Sequence, residues 1–203
     1  MIRPGRALAA ATSILAALLI GCAPTPASAP GQPQATVSVF AGGEAWPVRV
    51  EVRSEDGSPV LASGLHPQGV VRTGAGEAIL DPVDERPAWW SESGLPVKDA
   101  QETVVIVGHN YNDRTAPFAA LRDVVPGDEV SVRTSAGALR YQVERVEPLA
   151  KGALLGEHEL RQHVPGRLIL ANCDVRDGVD TGDNYLVIAQ FMHWQELAAP
   201  PPG

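Results

Sequence analysis

The sequence is short of positive charge. It has 16 lysine and arginine residues against 24 aspartate and glutamate residues, and its formal net charge at pH 7 is −8. Because nucleic acids attract basic surfaces and repel acidic ones, this balance argues against nucleic acid as a partner. No internal repeat is visible in the 203 residues. A chain of this length suits one domain with a hydrophobic core, plus tails.

Long helical stretches are also missing. The 18 prolines and 20 glycines interrupt the chain at short intervals. This composition predicts many short strands and turns rather than long helices. Residues 47–53 alternate apolar and polar side chains, as a half-exposed strand does. Residues 129–133 and 139–143 alternate around a Ser-Ala-Gly turn, which predicts a hairpin.

The N-terminal apolar run, residues 7–20, is shorter than the roughly 20 residues that a membrane-spanning helix needs. A basic segment with Arg3 and Arg6 precedes it, which is the pattern of a secretory signal peptide. The run ends in Leu19-Ile20-Gly21-Cys22, which resembles the lipobox of bacterial lipoproteins. That resemblance implies cleavage before Cys22 and a diacylglycerol on its sulfur. An uncleaved membrane anchor is the alternative.

The chain therefore divides into four predicted segments. Residues 1–21 form a lipoprotein signal peptide, and residues 22–40 form a Pro/Ala-rich disordered linker. Residues 41–195 form the folded domain, and residues 196–203 form a disordered tail. The predicted location is the extracytoplasmic face of the bacterial cell membrane, with the protein anchored by lipid.

Lipidation of Cys22 would leave Cys173 as the one free thiol of the mature chain. No structural disulfide is then possible. A lone thiol in an exported protein has no partner in its own chain, which indicates a reactive role.

Cys173 follows the apolar run Leu168-Ile169-Leu170-Ala171, which predicts a buried strand that ends at the thiol. His109 stands in a similar position after residues 103–107 and Gly108. A thiol needs a base or a cation beside it to ionise near neutral pH, and imidazole is the usual partner. The sequence therefore predicts a cysteine–histidine pair at two strand ends. An inert buried cysteine and an unrelated surface histidine are the alternative.

Four ordered motifs resemble those of the sortase family. They are Val107-Gly108-His109-Asn110, Phe118-Ala119-Ala120-Leu121, Gly127-Asp128 and Leu170-Ala171-Asn172-Cys173. Residues 183–189 also resemble the last sortase strand. The resemblance covers residues 46–191 and is nearest to the class E and F sortases of actinobacteria. It implies a mainly β fold, a sortase-like closed β-barrel of about eight strands with short helices in the crossovers.

The resemblance also implies a function. Cys173 would be the nucleophile and His109 the acid–base partner of a cysteine transpeptidase. The enzyme would cleave a C-terminal sorting signal of secreted proteins, typically Leu-Pro-x-Thr-Gly, through a thioacyl intermediate. It would then transfer the acyl group to an amine on the cell surface, and no cofactor or metal is implied. The alternatives are a lipid-anchored, non-catalytic binding module and a related cell-wall cysteine hydrolase.

Two positions depart from the family pattern. Asn172 stands where the family has threonine, and Gly182-Asp183-Asn184 stands where it has an essential arginine. Arg176 is the only arginine after Cys173 in the sequence. We therefore predict Asn184 or Arg176 as the oxyanion-stabilising residue. Further options are Arg86, Arg114 and the backbone amides beside Cys173.

Other polar clusters predict no metal site. His158 and His163 are five residues apart, so one helix face would not carry both, and we expect them to be solvated. The aspartates after the thiol lack the alternate spacing of a calcium loop, and we expect them to be solvated too, with calcium as the alternative. These aspartates are Asp174, Asp177, Asp180 and Asp183.

Some apolar residues predict core contacts. Trp89 and Trp90 are expected in the core rather than against substrate. Phe118, Leu121 and Val125 have the spacing of one buried face of a short helix.

Overall fold

The computed structural model describes residues 46–72, 78–112, 115–157 and 163–196. The predicted signal peptide, the linker with Cys22 and the end of the tail lie outside these residues. Arg114 and His158 lie outside them as well. In the described ranges, no helix is both long and apolar enough to cross a membrane.

Strands make up most of the described chain. They are β1 (Pro47–Arg53), β2 (Pro59–Gly64), β3 (His66–Gln68), β4 (Val71–Arg72), β5 (Ala78–Ile79), β6 (Ala88–Trp90), β7 (Val104–Val107), β8 (Glu129–Thr134), β9 (Gly137–Ala150), β10 (Arg167–Arg176) and β11 (Val179–Glu196). The longest strands are β9, β10 and β11. Short 3₁₀ helices lie at Ala119–Asp123 and Ala153–Leu155. The predicted hairpin is present, because β8 and β9 pair in antiparallel register.

Nine of these strands form one sheet in the order β2-β1-β8-β9-β11-β10-β7-β6-β3, and β4 pairs with β5 separately. The two edge strands, β2 and β3, are separated in the chain by Leu65 alone. The N–H of Leu65 donates to the carbonyl of Val48 at 2.9 Å. Because one residue joins its two edges, the sheet curls into a nearly closed barrel. The predicted sortase-like barrel is confirmed, with nine strands in the described sheet rather than about eight.

Two apolar clusters cover the two faces of the central strands. Leu168 and Leu170 belong to a large cluster inside the barrel, whereas Ile169 and Ala171 belong to a smaller one on the other face. Successive side chains of a strand point to opposite faces. A strand covered on both faces needs apolar residues at every position, which explains the continuous run in β10. Both tryptophans, Trp89 and Trp90, are buried as predicted.

The segment after His109 forms a 3₁₀ helix rather than an α-helix, and this changes its buried face. Phe118, Leu121 and Val124 are fully buried, while Val125 is 54% exposed. A 3₁₀ helix has three residues per turn, so its buried positions recur at i, i+3 and i+6. The prediction of Val125 as part of the buried face is therefore wrong.

Candidate active site

His109 and Cys173 are placed by two neighbouring parallel strands. In the β7–β10 pair, Val107 lies opposite Ala171, and each of the two residues follows two positions later. The N–H of Gly108 donates to the carbonyl of Ala171 at 2.9 Å, so the pairing extends past the end of β7. Positions two apart on a strand share a face. His109 and Cys173 accordingly line one open cavity.

The strand that carries the thiol is longer than its apolar run. Strand β10 continues for three residues past Cys173, to Arg176, and turns through Asp177 and Gly178 into β11. Both turn residues have positive φ, 51° and 73°. The predicted strand end at Cys173 is therefore wrong. The thiol instead lies at an irregularity, because the β10–β11 register shifts between Cys173 and Val175.

The two residues that flank the thiol are anchored on the other face. The side-chain amide of Asn172 donates to the carbonyl of Phe118 at 2.7 Å. The Asp174 carboxylate is fully buried and pairs with Arg122 at 3.3 Å and with Arg176 at 3.1 Å. The prediction that Asp174 is solvated is wrong, because an arginine from the distant 3₁₀ helix reaches it. These anchors fix the backbone on both sides of the thiol.

The loop after β7 is tied directly to β10, the strand that carries Cys173. The side-chain amide of Asn110 donates to the main-chain carbonyl of Cys173 at 3.1 Å. The ring of Tyr111 stacks on the imidazole of His109, with centroids 5.0 Å apart and planes inclined by 23°. These contacts hold the imidazole beside the cavity that Cys173 lines.

A second segment, which we call the strap (residues 80–83), lies against the imidazole. The Nε2 atom of His109 is 2.9 Å from the carbonyl oxygen of Pro82. A carbonyl oxygen can only accept, so Nε2 carries the proton in this arrangement. The Nδ1 atom lies 3.8 Å from a carboxylate oxygen of Asp81. One imidazole nitrogen is therefore committed to the strap, and the other faces a negative charge.

Gln68 holds the backbone of the strap. Its side chain is 2% exposed, its Nε2 donates to the carbonyl of Asp81 at 2.6 Å, and its Oε1 accepts from the N–H of Val83 at 2.9 Å. Both ends of a buried amide thus fix the strap. Sequence reasoning missed Gln68, because a single glutamine carries no local signal of a contact 13 and 15 residues away.

The Cys173 thiol is half-buried, and several charges surround it. Burial raises the pKa of the thiol, and the Lys151 ammonium opposes that shift through its charge and a hydrogen bond. The carboxylates of Asp180 and Asp81 raise the pKa further. The surroundings therefore make the Cys173 thiol harder to ionise than an ordinary cysteine.

Lys151 supplies the positive charge at the site, and sequence reasoning missed it. It follows the last residue of β9, and its N–H donates to the carbonyl of Gly182 at 3.2 Å. Its ammonium pairs with the Asp180 carboxylate, and this hydrogen bond raises the pKa of Lys151. A weak signal exists in the sequence, since Lys98 and Lys151 are its only two lysines.

The two predicted oxyanion-stabilising residues lie in different surroundings. Asn184 lies opposite Cys173 in the β10–β11 register and lines a cavity with it and Lys151. Arg176 is instead paired with Asp174 through Nε at 3.2 Å and Nη2 at 3.1 Å. Arg86, a further option, pairs with Asp84 at 2.6 Å and is 59% exposed.

The side chains of the aspartates after the thiol do not form one cluster. Asp174 faces arginines, whereas Asp180 faces Lys151. Among the described residues, no three histidine, cysteine, aspartate or glutamate side chains are arranged to hold a metal ion. His163 is 81% exposed as expected and lies 3.2 Å from Glu102.

The cavity that joins Cys173, Asn184 and Lys151 has a volume of about 320 Å³. Its walls are mostly apolar and come from β5, the strap, the ends of β7 and β10, and the 3₁₀ helix at Ala153–Leu155. The polar groups lie together at the thiol. An extended peptide with an apolar side chain suits this shape, with one carbonyl beside the thiol.

A family model for the sortase domain matches residues 64–192. The chain belongs to the sortase family. The matched segment contains both His109 and Cys173, as well as Lys151 and Asn184. Sortases are cysteine transpeptidases that act on sorting-signal proteins and amine nucleophiles. No curated protein matches this sortase significantly in sequence.

Solved sortase structures share the fold. Sortase A of Listeria monocytogenes is 11% identical, with a TM-score of 0.52 over 77% of this chain and 92% of its own. A lid mutant of Corynebacterium diphtheriae sortase A is 18% identical, with a TM-score of 0.51 over 72% of this chain and 71% of its own. A sortase C of Streptococcus pneumoniae is 15% identical, with a TM-score of 0.53 over 76% and 72%. At these identities the likeness concerns the fold alone.

Proposed function

We propose that this sortase is a cysteine transpeptidase with Cys173 as its nucleophile and His109 as its acid–base residue. The observation that carries the proposal is the β7–β10 register, which brings both side chains to one cavity. A thiolate with an imidazole beside it is the arrangement that acyl transfer requires.

The reaction has two halves. The Cys173 thiol first loses its proton to His109, and the resulting thiolate attacks the carbonyl carbon of a peptide bond. The C–N bond then breaks, and the leaving amine takes that proton from His109. A thioacyl-enzyme remains. An incoming amine then loses its proton to His109 and attacks the thioester carbonyl, and the C–S bond breaks to release the thiolate. In the free protein the Nε2–H of His109 donates to the carbonyl of Pro82, so Nδ1 is the nitrogen that can accept the thiol proton and return it.

The finer assignment is part of the proposal. We expect a class E/F-type sortase that acts on a Leu-Pro-x-Thr-Gly-like sorting signal of secreted proteins. The motifs around His109 and Cys173 support it, and so do the apolar walls of the cavity beside the thiol. We also propose that Cys22 carries a lipid and that the domain acts at the extracytoplasmic face of the bacterial cell membrane. The signal-peptide pattern of residues 1–22 supports that location.

Peptide ligation tests the proposal. The full chain with Cys22→Ala is incubated with a panel of Leu-Pro-x-Thr-Gly-like peptides and triglycine, and the products are identified by mass spectrometry. An amide-linked product is expected, with none in Cys173→Ala or His109→Ala. His193→Ala, at an exposed histidine of β11, is the matched control and should ligate normally.

Three outcomes contradict the proposal. Ligation by Cys173→Ala would show that the Cys173 thiol is not the nucleophile. Cleavage without any amine-dependent product would favour a cysteine hydrolase. Peptide binding without reaction would favour the non-catalytic binding module.

A further inference from the structure

Lysine is rare in this chain, and one of the two lysines lies at the nucleophile. The other basic side chains are arginines, 14 of the 16. Lys98 lies at an exposed position before β7, whereas Lys151 lines the cavity that contains Cys173 and Asn184. The position of Lys151 therefore calls for an explanation that Lys98 does not need.

Sheet register brings Lys151 to the same face as the thiol. Cys173 lies opposite Asn184 in the β10–β11 pair, and Asn184 lies opposite Leu149 in the β11–β9 pair. Directly opposed residues point to one face, and two residues further along a strand the same face recurs. The N–H of Lys151 still bonds to the carbonyl of Gly182, so the pairing reaches this residue.

Asp180 holds the ammonium in place. It is the second residue of β11. One oxygen of its carboxylate pairs with Lys151, and the other accepts from the N–H of Gly182 at 2.8 Å. Both Asp180 and Lys151 also act on the Cys173 thiol through their charges. The three groups thus form a short chain of carboxylate, ammonium and thiol.

We propose that Lys151 is the catalytic cation of this site, which stabilises the Cys173 thiolate and then the oxyanion on the substrate carbonyl, with Asp180 as its positioning residue. The oxyanion half of this inference rests on the proposed function. Neither Arg176 nor Arg86 lines the described cavities that contain Cys173, and their side chains pair instead with Asp174 and Asp84. A cation at the thiol supplies the charge that Asn184 lacks, since a neutral amide is a weaker donor to an oxyanion.

The Lys151 ammonium has two roles in the proposed reaction. Before acylation, its charge favours loss of the thiol proton to His109. During acylation, the π electrons of the carbonyl move to oxygen as the S–C bond forms, and the ammonium donates a hydrogen bond to that oxygen. When the tetrahedral intermediate collapses, the electron pair on oxygen re-forms the C=O bond and the C–N electrons leave with the nitrogen, which takes the proton from His109. The ammonium is then released unchanged. The lysine keeps its proton throughout, because Asp180 stabilises the charged form.

Alkylation of the thiol tests the first role without any peptide. In the full chain with Cys22→Ala, Cys173 is the sole thiol, and its reaction with iodoacetamide is followed by intact mass across a pH series. In Lys151→Met the curve of alkylation rate against pH should shift to higher pH by about one unit, so alkylation at neutral pH slows about tenfold. Lys151→Arg should keep the profile of the parent protein. Lys98→Met is the matched control and should also keep it.

Asp180→Asn gives a prediction of opposite sign. Removing this carboxylate deletes a negative charge near the thiol and frees Lys151 from its competitor, so the alkylation profile should move downward. A merely structural role of the pair would shift Lys151→Met and Asp180→Asn in the same direction. Melting temperatures close to that of the parent protein confirm that each variant is folded.

Single-turnover acylation by an active peptide tests the second role. Lys151→Met should lower the acylation rate constant about a hundredfold with little change in peptide binding, and Lys151→Arg should restore most of it. Equal alkylation profiles for Lys151→Met and Lys98→Met would overturn the inference, as would normal acylation by Lys151→Met. Absence of acylation in the parent protein would instead overturn the proposed function, and the alkylation series would then decide the role of Lys151 alone.

Discussion

The side-chain amide of Asn110 donates a 3.1 Å hydrogen bond to the main-chain carbonyl of Cys173. This contact joins the residue after His109 to Cys173 itself, across 63 residues of chain. The backbone on the other side of Cys173 is anchored by Asn172 through its bond to Phe118. Relative placement of thiol and imidazole therefore depends on side-chain amides as well as on the β7–β10 register.

Asn110→Ala should lower the acylation rate constant about tenfold while leaving peptide binding nearly unchanged. The reason is geometric, because small displacements of catalytic groups cost rate rather than affinity. The pH profile of thiol alkylation should not move, since Asn110 is neutral. Single-turnover kinetics and alkylation of the same variant check both statements. An unchanged acylation rate would show that the β7–β10 register alone positions the pair.

Asp81→Asn should make the thiol more reactive at neutral pH. Burial and the carboxylates of Asp180 and Asp81 raise the pKa of the Cys173 thiol, so removal of Asp81 lowers that pKa. The curve of iodoacetamide alkylation rate against pH should lie at lower pH in this variant than in the parent protein. Asp84→Asn, whose carboxylate pairs with Arg86 on the same loop, is the matched control and should leave the profile in place. A shift to higher pH in Asp81→Asn would contradict this electrostatic description.

The raised pKa of Cys173 also has a consequence for stability. Because the folded protein holds this proton more tightly than the unfolded chain does, the bound proton stabilises the fold. This stabilisation is fully present below the pKa of the thiol in the unfolded chain. That contribution is lost as the pH rises through the folded pKa. Alkaline conditions should therefore destabilise the parent protein more than a Cys173→Ser variant, which lacks the titrating thiol.

Gln68→Leu should reduce the free energy of unfolding by about 1–3 kcal/mol. The change leaves the carbonyl of Asp81 and the N–H of Val83 without the buried amide that now satisfies both. Urea unfolding of this variant and of Gln142→Leu, at an exposed position of β9, provides the comparison. The control should change stability by no more than about 0.5 kcal/mol. Equal stability of the two variants would mean that the strap is held by other contacts.

Cys22→Ala should abolish lipid labelling of the chain. The motif Leu19-Ile20-Gly21-Cys22 predicts that the Cys22 sulfur carries the lipid. Cells that express the parent chain, Cys22→Ala or Cys173→Ala are grown with a clickable fatty-acid analogue, and the purified chains are compared by gel fluorescence. Cys173→Ala should label like the parent. Persistent labelling of Cys22→Ala would place the lipid elsewhere or favour an uncleaved anchor.

Local pattern was enough to predict several of the strands, whereas the barrel was predicted from the resemblance to sortases. The apolar runs before His109 and Cys173 predict two buried strands, and both are present as β7 and β10. Those runs are readable because each strand is covered on both faces and so has no polar positions. The buried face of the 3₁₀ helix was harder to predict, because its period differs by less than one residue from that of an α-helix. This difference moves the buried position from Val125 to Val124.

Residues brought in by pairing between distant segments could not be predicted. Lys151 reaches the thiol only through the β9–β11 and β10–β11 registers. Arg122 comes from a segment distant in sequence and pairs with Asp174, so a carboxylate that looks solvated in sequence is fully buried. The side chain of Gln68 holds the strap through two hydrogen bonds to main-chain groups, and neither bond can be recognised in the sequence. Each of these contacts depends on tertiary structure.

The most direct test of the account is the intact mass of the full Cys22→Ala chain after a brief reaction with a Leu-Pro-x-Thr-Gly-like peptide and no added amine. The account predicts an adduct equal to the acyl part of the peptide, bound to Cys173 and removed by hydroxylamine as a thioester is. Cys173→Ala should show no such adduct, and His109→Ala should form it far more slowly. An adduct that survives in Cys173→Ala, or a parent chain that cleaves peptide without ever carrying one, would contradict the assignment of Cys173 as the nucleophile.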